Sequence, residues 1–363
     1  MAINAMTSRG RMLALIAGQQ IDRLPFVIQW GPWPETQRRW LAEGMKNRDD
    51  WHTLFGFDTY AVYAGVNCGI CPAFPEEILL DEGETVICRD AFGVIKRDRK
   101  DQSSMPAFLE YPVKDRESWE AYKWRFDAGS AERFPPNWEA LLQQYAAADA
   151  LVSVGIYPFG FLGGVRTIMG AEACLLAMAL DPELIDDINT HFCDLWDQLW
   201  SRLFAATRID HIAFWEDMAG KQGSLISPAM FRRFLTPYYE RLIDLSKQHG
   251  VTMFSVDSDG YMPELTGLFL EAGVNVVMPY EVQAGNDLAS LFRTYPELVA
   301  FGGMDKRVMA VDHQAIDAEM RRIKALLSLG RFVPFPDHCI PPDVSWENYQ
   351  YFVWRWKELV GKA

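Results

Sequence analysis

The feature that most constrains how this chain can fold is a rhythm. Eight short apolar runs, at residues 25–29, 59–63, 151–155, 211–215, 251–255, 274–278, 298–301 and 331–335, are separated by longer stretches with helical periodicity. Most of the runs are apolar on both faces, which suits strands of a parallel sheet covered by helices. Repeated β-α units predict a parallel sheet, and eight of them predict a closed (β/α)8 TIM barrel, here a single domain over 1–363. Such barrels typically need about 250 residues, so the chain has room for an insertion. Residues 183–207 read as one long helix with Leu184, Ile185, Ile188, Phe192 and Leu195 on its apolar face. Ser227-Pro228 reads as a cap opening a helix to about His249, and Ser345 as the start of a C-terminal helix. The rhythm breaks over about 72–112, where alternating segments around Asp-Glu-Gly and Asp-Ala-Phe turns predict an antiparallel hairpin insertion after the second strand. That insertion reads as a lid or as an interface, the latter compatible with a homodimer.

Charge narrows the partners. A formal net charge of -14, with no basic stripe, argues against nucleic acid and against an anionic membrane surface. The apolar N-terminal stretch soon meets Gln19, Gln20, Asp22 and Arg23, so it reads as neither signal peptide nor membrane span, and the expected location is cytoplasmic. Six dispersed cysteines fit reduced thiols better than a disulfide framework, and Cys68-Gly69-Ile70-Cys71 lacks the second pair a zinc motif would need.

In a TIM barrel the reactive side chains come from the C-terminal ends of several strands. Here the expected fourth strand is followed by Glu216-Asp217 and the fifth by Asp257-Ser258-Asp259-Gly260. The sixth ends at Glu281, the seventh at Asp305 and the eighth at Asp337-His338. Carboxylates facing one another repel, and burial adds a desolvation cost that a cation would relieve. Asp and Glu oxygens with one imidazole suit catalytic zinc, and also manganese or ferrous iron. Each residue taken singly has a plainer use: Asp257 or Asp259 could cap the next helix, and Glu216 could pair with Arg232 or Lys221. Their arrival together at one end of consecutive strands favours a site.

Three stretches carry a family resemblance. Phe301-Gly302-Gly303-Met304-Asp305-Lys306-Arg307, the run from Pro336-Asp337-His338-Cys339-Ile340-Pro341-Pro342 to Asn348, and Ile226-Ser227-Pro228-Ala229-Met230-Phe231 with Pro237-Tyr238 resemble the uroporphyrinogen decarboxylase superfamily. The resemblance implies a TIM barrel and one of two chemistries: cofactor-free decarboxylation of a tetrapyrrole, or zinc-dependent methyl transfer to or from a corrinoid. The decarboxylases hold substrate carboxylates with an Arg-containing signature near the N-terminus. This chain has Ile28-Gln29-Trp30-Gly31-Pro32-Trp33-Pro34-Glu35 there, aromatics and an acid, which points to the corrinoid-dependent branch.

Laid on the zinc site of the coenzyme M methyltransferases, Asp257, Asp259 and His338 fall at the three ligand positions, harder donors than the family's thiolates. The resemblance thus implies O-demethylation of a small, methoxylated aromatic substrate, with zinc as Lewis acid and a separate corrinoid protein as methyl acceptor. Glu216, Glu281 and Asp305 are the catalytic candidates. Trp30, Trp33, Tyr157, Phe159, Trp215 and Tyr280 are candidates for the substrate pocket. The alternative is a metal-free lyase acting on a carboxylated substrate, which would want basic residues at the mouth; Arg166, Lys221, Lys306 and Arg307 are the obvious suppliers.

Overall fold

The computed structural model describes residues 5–101 and 105–362; the first four residues of the N-terminal stretch, the segment 102–104 inside the expected insertion, and the last residue lie outside the described residues. The main sheet is a curled, seven-stranded, all-parallel sheet. Its strands are β1 (Ala61–Tyr63), β6 (Leu151–Gly155), β7 (His211–Trp215), β10 (Met253–Asp257), β11 (Val276–Met278), β12 (Val299–Met304) and β13 (Arg331–Pro336), adjacent in that order. Between β1 and β6 the chain makes a four-stranded antiparallel sheet, β2 (Glu77–Asp81), β3 (Thr85–Arg89), β4 (Ile95–Arg99) and β5 (Ala107–Glu110). A small hairpin, β8 (Ala219–Gly220) and β9 (Gly223–Ser224), rises beyond the end of β7.

The sequence expectation of eight ladder strands is corrected at the first. Residues 25–29 form no strand. Instead the Phe26 carbonyl accepts the Asp58 N–H at 2.7 Å, while Gly31 and Trp33 exchange backbone bonds with Ile340 at 3.2 and 3.1 Å. The segment therefore bridges the two free edges of the sheet by single bonds and an isolated Pro32–Ile340 bridge. Two prolines, Pro25 and Pro32, bracket it and deny it the evenly spaced N–H donors of a ladder. The inserted sheet is larger than the expected hairpin: segments 78–80, 85–88 and 93–97 correspond to β2, β3 and β4, and the further strand β5 is exposed throughout, so it leaves little burial signal in the sequence.

The helices form where the sequence caps them. Asp181 accepts the Leu184 N–H and Pro182 occupies the first turn of the 25-residue helix Pro182–Ala206. Leu184, Ile188, Phe192, Leu195, Leu199 and Leu203 recur at three- and four-residue spacing and are all buried against the sheet. Each such side chain contributes about 1.5–3 kcal/mol, so one charged substitution at Leu199 would unseat the face. Ser227 and Ser345 cap as expected, through the Met230 and Asn348 N–H groups. The helix expected to run to His249 is broken into Pro228–Phe234 and Thr236–Gln248, since Pro237 cannot continue the ladder of the preceding turn. No single helix among the described residues is long and apolar enough to cross a membrane.

Candidate functional site

The parallel sheet directs the ends of β7, β10 and β13 to one mouth. The register sets Asp257, last residue of β10, beside Trp215 of β7. Neither Asp257 nor Asp259 caps a helix, because the next one, Pro263–Glu271, starts at Met262 with no side-chain cap. Asp259 lies 3.5 Å from His338 Nε2. Asp217, which the sequence places at a strand end without a role, joins them: its Oδ1 accepts the Asp259 N–H at 3.3 Å, and it is held in the left-handed region at φ 48°. The next residue, Gly260, sits at φ 89°, where a Cβ would lie 2.5 Å from the Ala219 carbonyl; the turn that presents Asp259 therefore requires glycine.

Electrostatics follow from this crowding. Burial pushes the Asp257 carboxyl well above the ordinary range, Asp259 and Asp217 add repulsion, and His338 opposes them. Asp217 is raised by burial and then by Asp259. His338 is raised to about 10, chiefly by its hydrogen bond to Asp259 and then by that to Cys339. Tyr63, at the end of β1, is pushed up to about 12 by burial, bonds Gln29, and feels the charge of Asp257. Both Tyr63 and Asp217 stand at strand ends, so the rule that picked out Asp257 could have found them.

The donor chemistry of this cluster suits a hard divalent cation. One oxygen of Asp259 is buried without a hydrogen-bond partner, and among the described residues no donor reaches the Asp257 carboxylate. The expected ligand set is not preassembled, however. Among the described residues no three His, Cys, Asp or Glu side chains gather round a single point; the pair in contact is His338 and Asp259.

The four other acids separate into distinct tasks. Glu216 is wholly buried and does not face the mouth. It accepts the N–H groups of Phe161 (2.8 Å), Leu162 (2.7 Å) and Gly163 (2.7 Å) and the hydroxyl of Tyr239 (2.5 Å), fastening the helix Gly163–Met169 to the end of β7. It pairs with neither Arg232, which binds Glu271, nor Lys221. Glu281 lies at the rim: it accepts the Gly260 N–H at 3.1 Å and sits 3.4 Å from Lys306 Nζ. Asp305 is engaged by Arg307 through side chain and backbone. Asp337, buried, accepts the N–H groups of Val282 (2.8 Å) and Lys306 (3.2 Å), tying the loops after β11, β12 and β13 together. Between Asp259, Glu281, Lys221 and Arg307 lies an open cleft of about 480 Å³.

The aromatic candidates divide as well. Trp30 stacks on His338 with centroids 5.6 Å apart, and Tyr157 packs edge-on to Trp215 at 4.6 Å, so these three border the cluster. Trp33 is the partly exposed cap of the helix Pro34–Ala42. Phe159 is buried against Trp196 and Trp200, and Tyr280 is buried with its hydroxyl on Thr266, so Tyr280 is a core residue and not a wall of the mouth. The basic residues are largely committed: Arg166 donates to the carbonyls of Glu216 and Asp217, Lys306 meets Glu281 and Asp337, and Arg307 meets Asp305.

A parallel, barrel-like sheet with ionisable side chains gathered at its C-terminal mouth is the layout of an enzyme. Residues 209–359 match the family model "Uroporphyrinogen decarboxylase (URO-D)", as the three motifs implied. Among solved structures, a methyltransferase from Methanosarcina mazei is similar with a TM-score of 0.62, at 16% identity, over 97% of this chain and 99% of that one. At that identity the likeness is one of fold. No curated protein sequence matches the chain.

Proposed function

We propose that this chain is a methyltransferase of the corrinoid-dependent kind, removing the methyl group of a small methoxylated aromatic and passing it to the cobalt of a separate corrinoid protein. The observation that carries the reading is the meeting of Asp217, Asp257, Asp259 and His338 at one mouth, with a buried Asp259 oxygen left without a partner. The family match and the fold shared with a methyltransferase support it. Asp257, Asp259 and His338 would hold zinc, and the ion would supply Lewis acidity toward the ether or phenolate oxygen. Around that centre the chain's own residues do the positioning. Trp30 covers one face of His338, Tyr157 and Trp215 offer a wall for a flat ring, and Glu281 fixes the Asp259–Gly260 turn. The metal-free lyase would need cations aimed at a substrate carboxylate. Arg166, Lys306 and Arg307 are already engaged within the protein, which leaves Lys221 alone of the four expected suppliers to meet one.

The test is elemental analysis of untagged, chelator-free protein beside a methyl-transfer assay from guaiacol (2-methoxyphenol) to Co(I) cobalamin, read by cobalamin absorbance. The expected result is about one zinc per chain, lost together with transfer in His338→Ala. Full metal occupancy in His338→Ala, or methyl transfer undiminished by metal removal, would sink the assignment.

A further inference from the structure

Beside the barrel mouth, and away from the acidic cluster, lies a second space of about 350 Å³. Its walls come from six places in the chain: the loop after β1, the turn between β3 and β4 in the inserted sheet, the short helical turn Lys123–Phe126, the loop after β6, and the helices Gly163–Met169 and Pro182–Ala206. The lining is chiefly apolar, and six of its side chains, Phe92, Phe126, Tyr157, Phe159, Phe192 and Trp196, are aromatic.

Two observations mark this cavity as built. The loop at 67–70 is pinned from behind by Arg133, which is fully buried and donates to the carbonyls of Asn67 and Gly69 (both 2.8 Å) as well as those of Arg125 and Asp127. Trp196 adds a bond from Nε1 to the Cys68 carbonyl at 2.8 Å. A guanidinium is a costly thing to bury merely to shape a surface loop. On the opposite wall Ile156 is held at φ 77°, a region that β-branched residues avoid, immediately after Gly155 at φ 106°. Backbone strain of this kind costs about 1–3 kcal/mol and gathers at ligand sites.

We infer that this cavity is the seat of a single aromatic ring, and that the ring belongs to the methyl donor; this rests on the methyltransferase reading given above. Size and chemistry support the assignment. An apolar cavity of roughly 150 Å³ takes benzene, so this one admits a ring with two or three small substituents. Six aromatic side chains on the wall offer ring faces and edges, which favour an aromatic guest over an alkyl chain. The polar handle sits at one end, where the Tyr157 hydroxyl bonds Thr167 and feels the charge of Asp217. Tyr157 also packs on Trp215, whose neighbour across the sheet is Asp257. A substituent at that end of the ring would lie beside Tyr157, which itself packs on Trp215. The inserted sheet, through Ala91 and Phe92, supplies the roof.

The experiment is calorimetric titration of the full chain with guaiacol, and separately with 1-octanol, for wild type, Ala91→Trp and Ala73→Trp, with melting temperatures as the check on folding. Both alanines line the cavity and neither belongs to the acidic cluster. Guaiacol should bind wild type one to one, and each tryptophan should weaken it by about tenfold or more while the melting temperature holds. No guaiacol binding to folded wild type, or equal binding to both tryptophan variants, would overturn the proposal. So would tighter binding of octanol blocked by the same substitutions. Ring binding lost in the tryptophan variants without any methyl transfer in wild type would uphold the cavity and sink the reaction, so the two failures are separable.

Discussion

Replacing Glu216 by glutamine tests whether this acid does chemistry or holds the scaffold. Its two oxygens take four donors, three of them backbone N–H groups that cannot be turned round. Burial pushes its pKa up, while the Tyr239 hydroxyl and the three N–H groups oppose that shift. A glutamine of the same shape keeps one acceptor. Its amide oxygen would stay with Leu162 and Gly163, where two fixed N–H groups converge. Its NH2 would then face Tyr239, whose hydroxyl can accept, and Phe161, whose N–H cannot. The cost is one stranded buried N–H, about 1–3 kcal/mol, plus the difference between charge-assisted and neutral bonds at the remaining positions, about 1 kcal/mol. About 3 kcal/mol in all corresponds to roughly 3–5 °C for a chain of this size, given about 2.1 cal/mol/K of unfolding entropy per residue. Urea and thermal unfolding followed by circular dichroism would read it, with Tyr239→Phe as a milder companion losing about 1–2 kcal/mol. Unchanged stability would mean that the carboxyl already carries a proton and behaves as its own amide. Unchanged stability together with a collapse of methyl transfer would refute the scaffold argument and return Glu216 to the reaction.

Two further perturbations probe the scaffold by other physics. His211, fully buried between the hydroxyls of Ser153 (2.8 Å) and Ser255 (2.7 Å), has its pKa lowered to about 3 by burial, with Asp210 opposing. No stability is lost to it above pH about 6.5, and the loss grows as the pH drops toward 3, reaching about 2 kcal/mol at pH 5. His211→Asn should flatten that part of the stability-pH curve, and an unaltered slope between pH 6.5 and 4 would count against a neutral buried imidazole. Gly260→Ala places a Cβ 2.5 Å from the Ala219 carbonyl at a positive φ, and should cost about 2–4 kcal/mol and, on the proposed zinc reading, weaken metal retention through the displaced Asp259. A stable Gly260→Ala protein with normal metal content would show that the turn is dispensable.

What could be read from the sequence, and what could not, divides along physical lines. The strands β6, β7 and β13 and the helix Pro182–Ala206 were legible because burial on both faces, or on one helical stripe, leaves a periodic mark. The first barrel segment was misread because 25–29 has the composition of a strand but not its hydrogen-bond partners, and partnership is a tertiary fact. The acids at the mouth were legible as a set, since strand ends converge in any parallel barrel. Their division of labour was not: Glu216 and Asp217 are adjacent in sequence, yet one turns inward to three backbone N–H groups and the other, at φ 48°, turns to Asp259. A single left-handed residue thus separates a structural carboxylate from a member of the charged cluster. Asp is among the few residues other than glycine that tolerate that conformation, so the same side chain that supplies the charge also permits the turn that delivers it. Replacing it with alanine would remove both at once, whereas Asp217→Asn would keep the turn and discard only the charge, and comparing the two would separate the carboxylate's place in the cluster from its place in the backbone.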